Sequence, residues 1–296
     1  MSSTALTETE AAIRAVEPRR RRPGLVPAIP LLVLGLVVFS AIFAPLLTPF
    51  DPLKGTLIDS LRPPQWMADG LAGHPLGTDG FGRDVFARMI YGARVSLAVA
   101  GFSLLIAISI GTFVGVVSGY VGGAVEAVLM RITDALLSLP SIILALTLAV
   151  AVGPSLRNLI FVLGFLIWPN VARLIRAETL QLKQQDYVRY GSAIGVPWWA
   201  LLGRHIIPNL APTLMVAATL QVGHVILAEA TLSFLGAGVP PPSASWGVMV
   251  AEGQALIGTG WWIAIFPGIA ITATVLSFNF LSDWLRDRLD PKTNQS

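Results

Sequence analysis

Six stretches without an acidic or strongly basic residue decide what this sequence can become. They cover residues 25–50, 95–125, 135–156, 158–172, 205–228 and 253–282, interrupted only by His205 and His224. A hydrocarbon core about 30 Å thick takes about 20 apolar residues as a helix, and helices leave no backbone group unpaired in it. Six spans is therefore the natural count. The fourth interval is short; it reaches span length by taking in Leu174 and Ile175 while Arg173 extends its stem toward the surface. Of the 296 residues, 54% are hydrophobic and 12% charged, about half the charged share of a soluble domain. The chain reads as an all-α integral membrane protein.

Charge then orients it. Arg19 to Arg22 precede the first apolar run, as in a signal peptide. That run outlasts a signal's apolar core and lacks a small-x-small exit, which predicts a retained anchor with the amino terminus inside. With six crossings, 14 of the 20 Lys and Arg lie inside and six outside, five of those in one long loop. Both termini are expected in the cytoplasm. The basic residues in loops and tails act as orientation signals and give no reason to expect nucleic acid as a partner. Cysteine is absent, which excludes disulfides and cysteine metal sites.

Four sections follow along the chain: a basic cytoplasmic tail at 1–24, a first span and extracytoplasmic loop at 25–94, a five-helix core at 95–290, and a short cytoplasmic tail at 291–296. The long loop ends in "GRDVFARMIYGARVS", which can run as an amphipathic helix into the second span. "FLGAGVPPPSASWGVMVAEG" holds Pro240, Pro241 and Pro242, cannot continue a helix, and is expected to be a loop or re-entrant cap on the outer face. Gly111, Gly115 and Gly119 share a helical face. They admit a close neighbour helix, or simply reflect how common glycine is in membrane spans.

The segment 185–209 is neither span nor ordinary loop. Gln185 to Ile194 can form a short helix, Gly195 fits a left-handed stop, and Pro197 can open a second short helix ending before Pro208. Each piece is about 15 Å long, half of a crossing. Trp198, Trp199, Leu201 and Leu202 give the second piece an apolar side. It either rests on membrane lipid or docks a partner, with Gly191 and Gly195 admitting close backbone approach.

"DYVRYGSAIG" followed by "RHIIPN" resembles the cytoplasmic signature loop of permease subunits of ATP-binding-cassette importers. In that family a short coupling helix fits a groove on the ATPase subunit. The family pattern of Glu-Ala-Ala, three residues and Gly aligns with Arg189, Tyr190, Gly191 and Gly195, departing at Tyr190 and Gly191. "HPLGTDGFGRDVFARMIYGARVSL" and "ILAEATLSFLGAGVPPPSASWG" are similar to the C-type permeases of dipeptide and oligopeptide importers, the peptide/nickel permease family. The resemblance runs from about Leu25 to the end. It implies a six-helix type I importer permease in a bacterial inner membrane. Its implied partners are a homologous second permease, ATPase subunits that bind ATP and Mg, and an extracytoplasmic substrate-binding protein delivering peptides. Coupling is expected at Arg189, Tyr190, Gly191, Ala193, Gly195, Pro197, His205, Pro208 and Asn209. Nickel, glutathione or another small ligand is an alternative cargo.

Lys54, Lys183 and Lys292 are the only lysines, and none sits in a phosphate-cradling G-x-x-x-x-G-K-[ST] loop. ATP is therefore a partner's substrate, and no cofactor is expected in this chain. His74, Asp79 and Asp84 fit no zinc spacing and belong more naturally to a tight loop. Gln221, His224, Ala228 and Thr231 share one face of the fifth span, where polar groups face protein or a wet path. His224 and Gln221 are pathway candidates, as is Glu229 nearer the outer mouth. Asp134 is expected to pair with Arg131 one turn away. No nucleophile with an oriented base can be assembled, so the chain is not expected to be an enzyme. An ion-driven transporter would show paired intramembrane charges and an inverted repeat, and neither is visible. A membrane scaffold without transport leaves the polar face of the fifth span unexplained.

Overall fold

The computed structural model describes residues 27–289. The tails at 1–24 and 291–296, with the arginine cluster, lie outside the described residues. Helix α1 spans Ala28–Ile42 and is followed by a turn at Ala44–Leu47. Helix α2 then runs 37 residues, Val85–Val121, about 55 Å. Its start is set by Asp84, whose carboxylate accepts from the Ala87 N–H at 2.6 Å and answers one of the four orphan donors of the first turn. The amphipathic stretch and the second span are thus one continuous rod. It stops at Gly122 and Gly123, both at positive φ.

The third apolar interval is not one straight span. Helix α3, Gly123–Ser138, and helix α4, Ser141–Val152, meet at a 92° bend. Leu139 is extended (φ −85°, ψ 141°) because the ring of Pro140 disfavours helical geometry in the residue before it. Helix α5, Leu156–Lys183, spans 28 residues, well past the short fourth interval. Its apolar window is the most buried of the spans, so the interval expected to be weakest lies deepest in the protein. Arg173 reaches the surface as expected and there its Nη2 donates to the exposed Asp134 at 2.6 Å, which replaces the expected Arg131 to Asp134 pair.

Two short helices, α6 at Asp186–Ala193 and α7 at Trp198–Leu201, lead through a π-helical turn at Leu202–Ile206 into α8, Ile207–Phe234. The second short piece therefore flows into the fifth span instead of ending before Pro208. Pro208 stands at the start of α8, directly after the π-helical turn. Helix α9, Trp246–Gln254, fills the proline-rich outer segment, and α10 runs Trp262–Leu289, nine residues later than the sixth apolar interval suggested.

Among the described residues, four continuous runs, counting 198–234 as one, are long and apolar enough to cross a bilayer. The bent pair α3–α4 can supply a fifth crossing, and α1, at 15 residues, is short of full length.

The most extensive helix contact joins α2 and α5, which run parallel. Gly111, Gly115 and Gly119 form its seam. A methyl group on Gly115 would lie 2.7 Å from the Ala172 carbonyl and 2.8 Å from Ile175 Cβ; on Gly111 it would lie 2.6 Å from Val171 Cβ. The three glycines are there for contact distance between backbones. Farther along, Ser103 Oγ donates to the Ile160 carbonyl at 3.0 Å. Arg176 pairs with Glu126, tying α5 to α3 at the other end. Helix α8 packs antiparallel to α10 around Val225, Ile226, Ile271 and Val275.

Loop 51–84 closes one end of this bundle. Asp79 accepts from the Phe81 and Arg83 N–H groups at 2.8 and 2.9 Å, from Arg83 Nε at 2.7 Å and from Arg88 Nη1 at 2.6 Å. Arg88 is 1% exposed and also reaches Glu252 of α9 at 2.6 Å. His74 Nδ1 meets Asp84 at 2.8 Å. Trp262 donates to the Thr78 carbonyl and Trp246 to that of Met89, both at 2.9 Å. His74, Asp79 and Asp84 are all engaged in holding the loop and the start of α2.

Candidate functional site

The elbow formed by α6 and α7 lies at the end of the bundle opposite loop 51–84, beside the last turn of α5. Lys183 Nζ there donates to the Tyr120 carbonyl at 2.7 Å. Asp186 stands in the first turn of α6, where a carboxylate complements the helix dipole. Val188 turns inward and packs with Val116, Val171, Ile175, Ile206 and Leu210. Four of these come from α2, α5 and α8, so α6 is rooted in an apolar cluster shared with three spans.

Gly195 has φ +85° and no atom within reach of a Cβ; it is required for its backbone conformation and not for space. That conformation lets the Val196 N–H bond the Gly191 carbonyl at 3.0 Å and closes α6. Gly191 has the other function: a Cβ there would lie 2.8 Å from Leu201 Cδ2, and Leu201 is the buried foot of α7. Pro197 caps α7 in extended geometry.

The apolar side expected of the second piece is divided. Leu201 points in, while Trp198 and Trp199 are 64% and 65% exposed; with Tyr190 and Ile194 (80%) they form an outward apolar tip. Arg189 and Ala193 are exposed beside it. His205 lies 5.9 Å from Tyr187, ring to ring, and Asn209 donates to the His205 carbonyl. Pro208 is exposed at the start of α8. The nine residues expected at the coupling loop thus occupy one continuous end surface, Pro208 and Asn209 at its root.

The second site is a groove of about 480 Å³ between α4, α5 and α8, lined by Gln221 and His224. His224 Nδ1 lies 3.0 Å from Gln221 Oε1. Thr231 lines it too, its hydroxyl donating to the Leu227 carbonyl at 2.8 Å. Glu229 does not face this groove. It is 1% exposed on the opposite side of α8, where its Oε1 accepts from Ser233 at 2.7 Å and from Ser245 at 2.6 Å. Ser245 also caps α9 through the Val248 N–H at 3.2 Å. Glu229 therefore anchors the α9 segment to α8. A three-residue step from Ala228 would have kept it on the groove face; a one-residue step rotates it about 100° away.

Asn170 of α5 also lines the groove. A polar residue after Pro169 in an apolar run was the signal for it, and the tryptophan and proline beside it masked that signal.

Residues 111–295 match the family described as binding-protein-dependent transport system inner membrane component. Among curated relatives, the probable D,D-dipeptide transport system permease protein DdpC of Escherichia coli K12 is 40% identical over 88% of this chain and 86% of its own length. The di/tripeptide transport system permease protein DppC of Pseudomonas aeruginosa is 38% identical over the same shares. The dipeptide transport system permease protein DppC of Haemophilus influenzae is 35% identical over 94% and 93%. Among solved structures, a chain of the MetNI methionine ABC transporter in an inward facing conformation superposes with a TM-score of 0.58 at 20% identity. That match covers 69% of this chain and 96% of the other, a likeness of fold. Sequence match, relatives and fold agree that the chain belongs to the family of binding-protein-dependent transport system inner membrane components.

Proposed function

We propose that this chain is one permease half of an ATP-driven importer of short peptides, seated in the inner membrane with both termini and the elbow in the cytoplasm. Its partners are a homologous second permease, ATPase subunits that bind ATP and Mg, and an extracytoplasmic binding protein that delivers the peptide. The observation that carries the reading is the elbow: two short helices, too short to cross, hold four large apolar side chains outward while Val188 and Leu201 root them in the core. A rigid root with an apolar tip suits a part that receives force from another protein.

ATP-driven closure of the ATPase pair would displace the tip. Because Val188 of α6 sits in one apolar cluster with residues of α2, α5 and α8, those spans would tilt together between inward-open and outward-open states. The groove lined by Gln221 and His224 would form one wall of the path. The chain supplies a moving wall and no reacting group. The peptide cargo is inferred from the names of relatives 35–40% identical over most of the chain.

The test is deletion of Ala193 to Trp199 in the assembled complex. Insertion and yield should be retained, with ATP-dependent peptide uptake and peptide-stimulated ATPase both lost. Unchanged uptake by the inserted deletion variant would refute the reading.

A further inference from the structure

The groove between α4, α5 and α8 has a chemistry that the import reading leaves unassigned. Its lining contains no carboxylate, ammonium or guanidinium; the polar side chains are Ser141, Asn170, Gln221, His224 and Thr231. Thr231 donates its hydroxyl proton to its own helix. With Gln221 Oε1 accepting across the 3.0 Å contact, the neutral imidazole carries its proton on His224 Nδ1. That leaves His224 Nε2 as an acceptor and the Gln221 amide N–H groups as donors. Asn170, exposed on the facing helix, adds a carbonyl and two N–H groups. Beside it, Pro169 has no N–H, so the Phe165 carbonyl one turn back loses its helical donor. Both residues line an adjoining cavity of about 240 Å³ at the α3–α4 bend.

Each peptide bond of a short peptide presents one N–H and one C=O at regular spacing. Neutral donors and acceptors on two facing helices complement that backbone and are indifferent to what the side chains carry. A fixed charge in the same place would retain peptides of opposite charge and repel those of like charge. We propose that Asn170, His224 and Gln221 form a neutral hydrogen-bonding strip that engages the main chain of a passing peptide, so that passage is independent of side-chain charge. The inference rests on the import reading and adds Asn170 as a residue that determines specificity.

The experiment uses the complete complex with its binding protein in ATP-loaded proteoliposomes and measures uptake of Ala-Ala, Lys-Ala and Glu-Ala, each relative to wild type. Asn170→Leu should lower all three by a common factor, about three- to tenfold, the range for one lost hydrogen bond. Asn170→Asp, which keeps the shape, should raise the Lys-Ala to Glu-Ala uptake ratio about tenfold or more. Uptake by Asn170→Leu within about twofold of wild type, less than a typical hydrogen bond, would overturn the inference, and so would an unchanged ratio in Asn170→Asp. If Asn170→Leu instead depletes the second permease from the purified complex and Asn170→Asp shows no skew, the strip is a subunit contact and the inference is wrong. Wild-type vesicles that take up none of the three peptides with ATP would sink the import reading and this inference together; normal wild-type uptake with an unskewed Asn170→Asp sinks the inference alone.

Discussion

Replacing Arg88 by methionine removes a guanidinium that is 1% exposed and keeps most of its apolar stem. Its Nη1 contacts Asp79 and Glu252, each at 2.6 Å. Taking one partner from a fully buried ion pair costs about 3–5 kcal/mol, because the other charge is stranded. Two features of the loop reduce that figure. Asp79, 2% exposed, keeps Arg83 at 2.7 Å and two backbone N–H donors. Glu252 has a side chain 33% exposed, so solvent screens its half of the interaction. The expected loss is roughly 2–3 kcal/mol, seen as a fall of about 4–12 °C in the melting temperature of the detergent-solubilised protein. Faster proteolysis within loop 51–84 should accompany it, since the network ties that loop to α2 and α9. Arg173→Met is the control: its pair with Asp134 is 56% and 57% exposed and should be worth about 0–1 kcal/mol. Equal effects of the two substitutions, or an Arg88→Met protein that melts and resists protease like wild type, would refute the account of the loop.

Asp84→Ala removes the cap of α2 and the partner of His74, and should cost about 0.5–2 kcal/mol by thermal melting. Gly115→Leu forces side-chain atoms into the Ala172 carbonyl and Ile175. Overpacking of that seam should cost about 1–3 kcal/mol or more and lower the yield of folded protein, whereas Gly101→Leu, where nothing lies within 4 Å, should be tolerated. Gly195→Val places a branched side chain at φ +85°, a strain of about 1–2 kcal/mol. It should lower the melting temperature by about 2–8 °C while ATP-driven uptake falls sharply.

What the sequence made legible followed from local rules. Charge-free length marked where the apolar helices lie but not their number of crossings or their bounds, and Gly195 with Pro197 located the break in the elbow, because positive φ and a fixed proline φ are properties of single residues. Errors arose where a distant residue decided the outcome. Arg131 is one turn from Asp134, yet Arg173, far along the chain, takes it because α5 crosses α3 there. The Pro140 bend sat within an apolar interval whose composition satisfied the length rule, hiding a 92° turn. Depth makes Glu229 a pathway candidate, but packing against Ser233 and Ser245 turns it inward. Arg88 and Glu252, 164 residues apart, carry no local sign of their meeting. The end-surface residues of the elbow, by contrast, are local in sequence and were found together.

The central claim is that the elbow receives motion from an ATPase. The chain has no cysteine, so Ile194→Cys, 80% exposed at the tip, gives this subunit a single thiol for cross-linking in the assembled complex. The account predicts a short-spacer cross-link to an ATPase subunit that changes in yield on adding ATP, and protection of the thiol from reagents applied outside intact cells. A thiol labelled from the outside, or one that reaches only lipid throughout the ATP cycle, would contradict it.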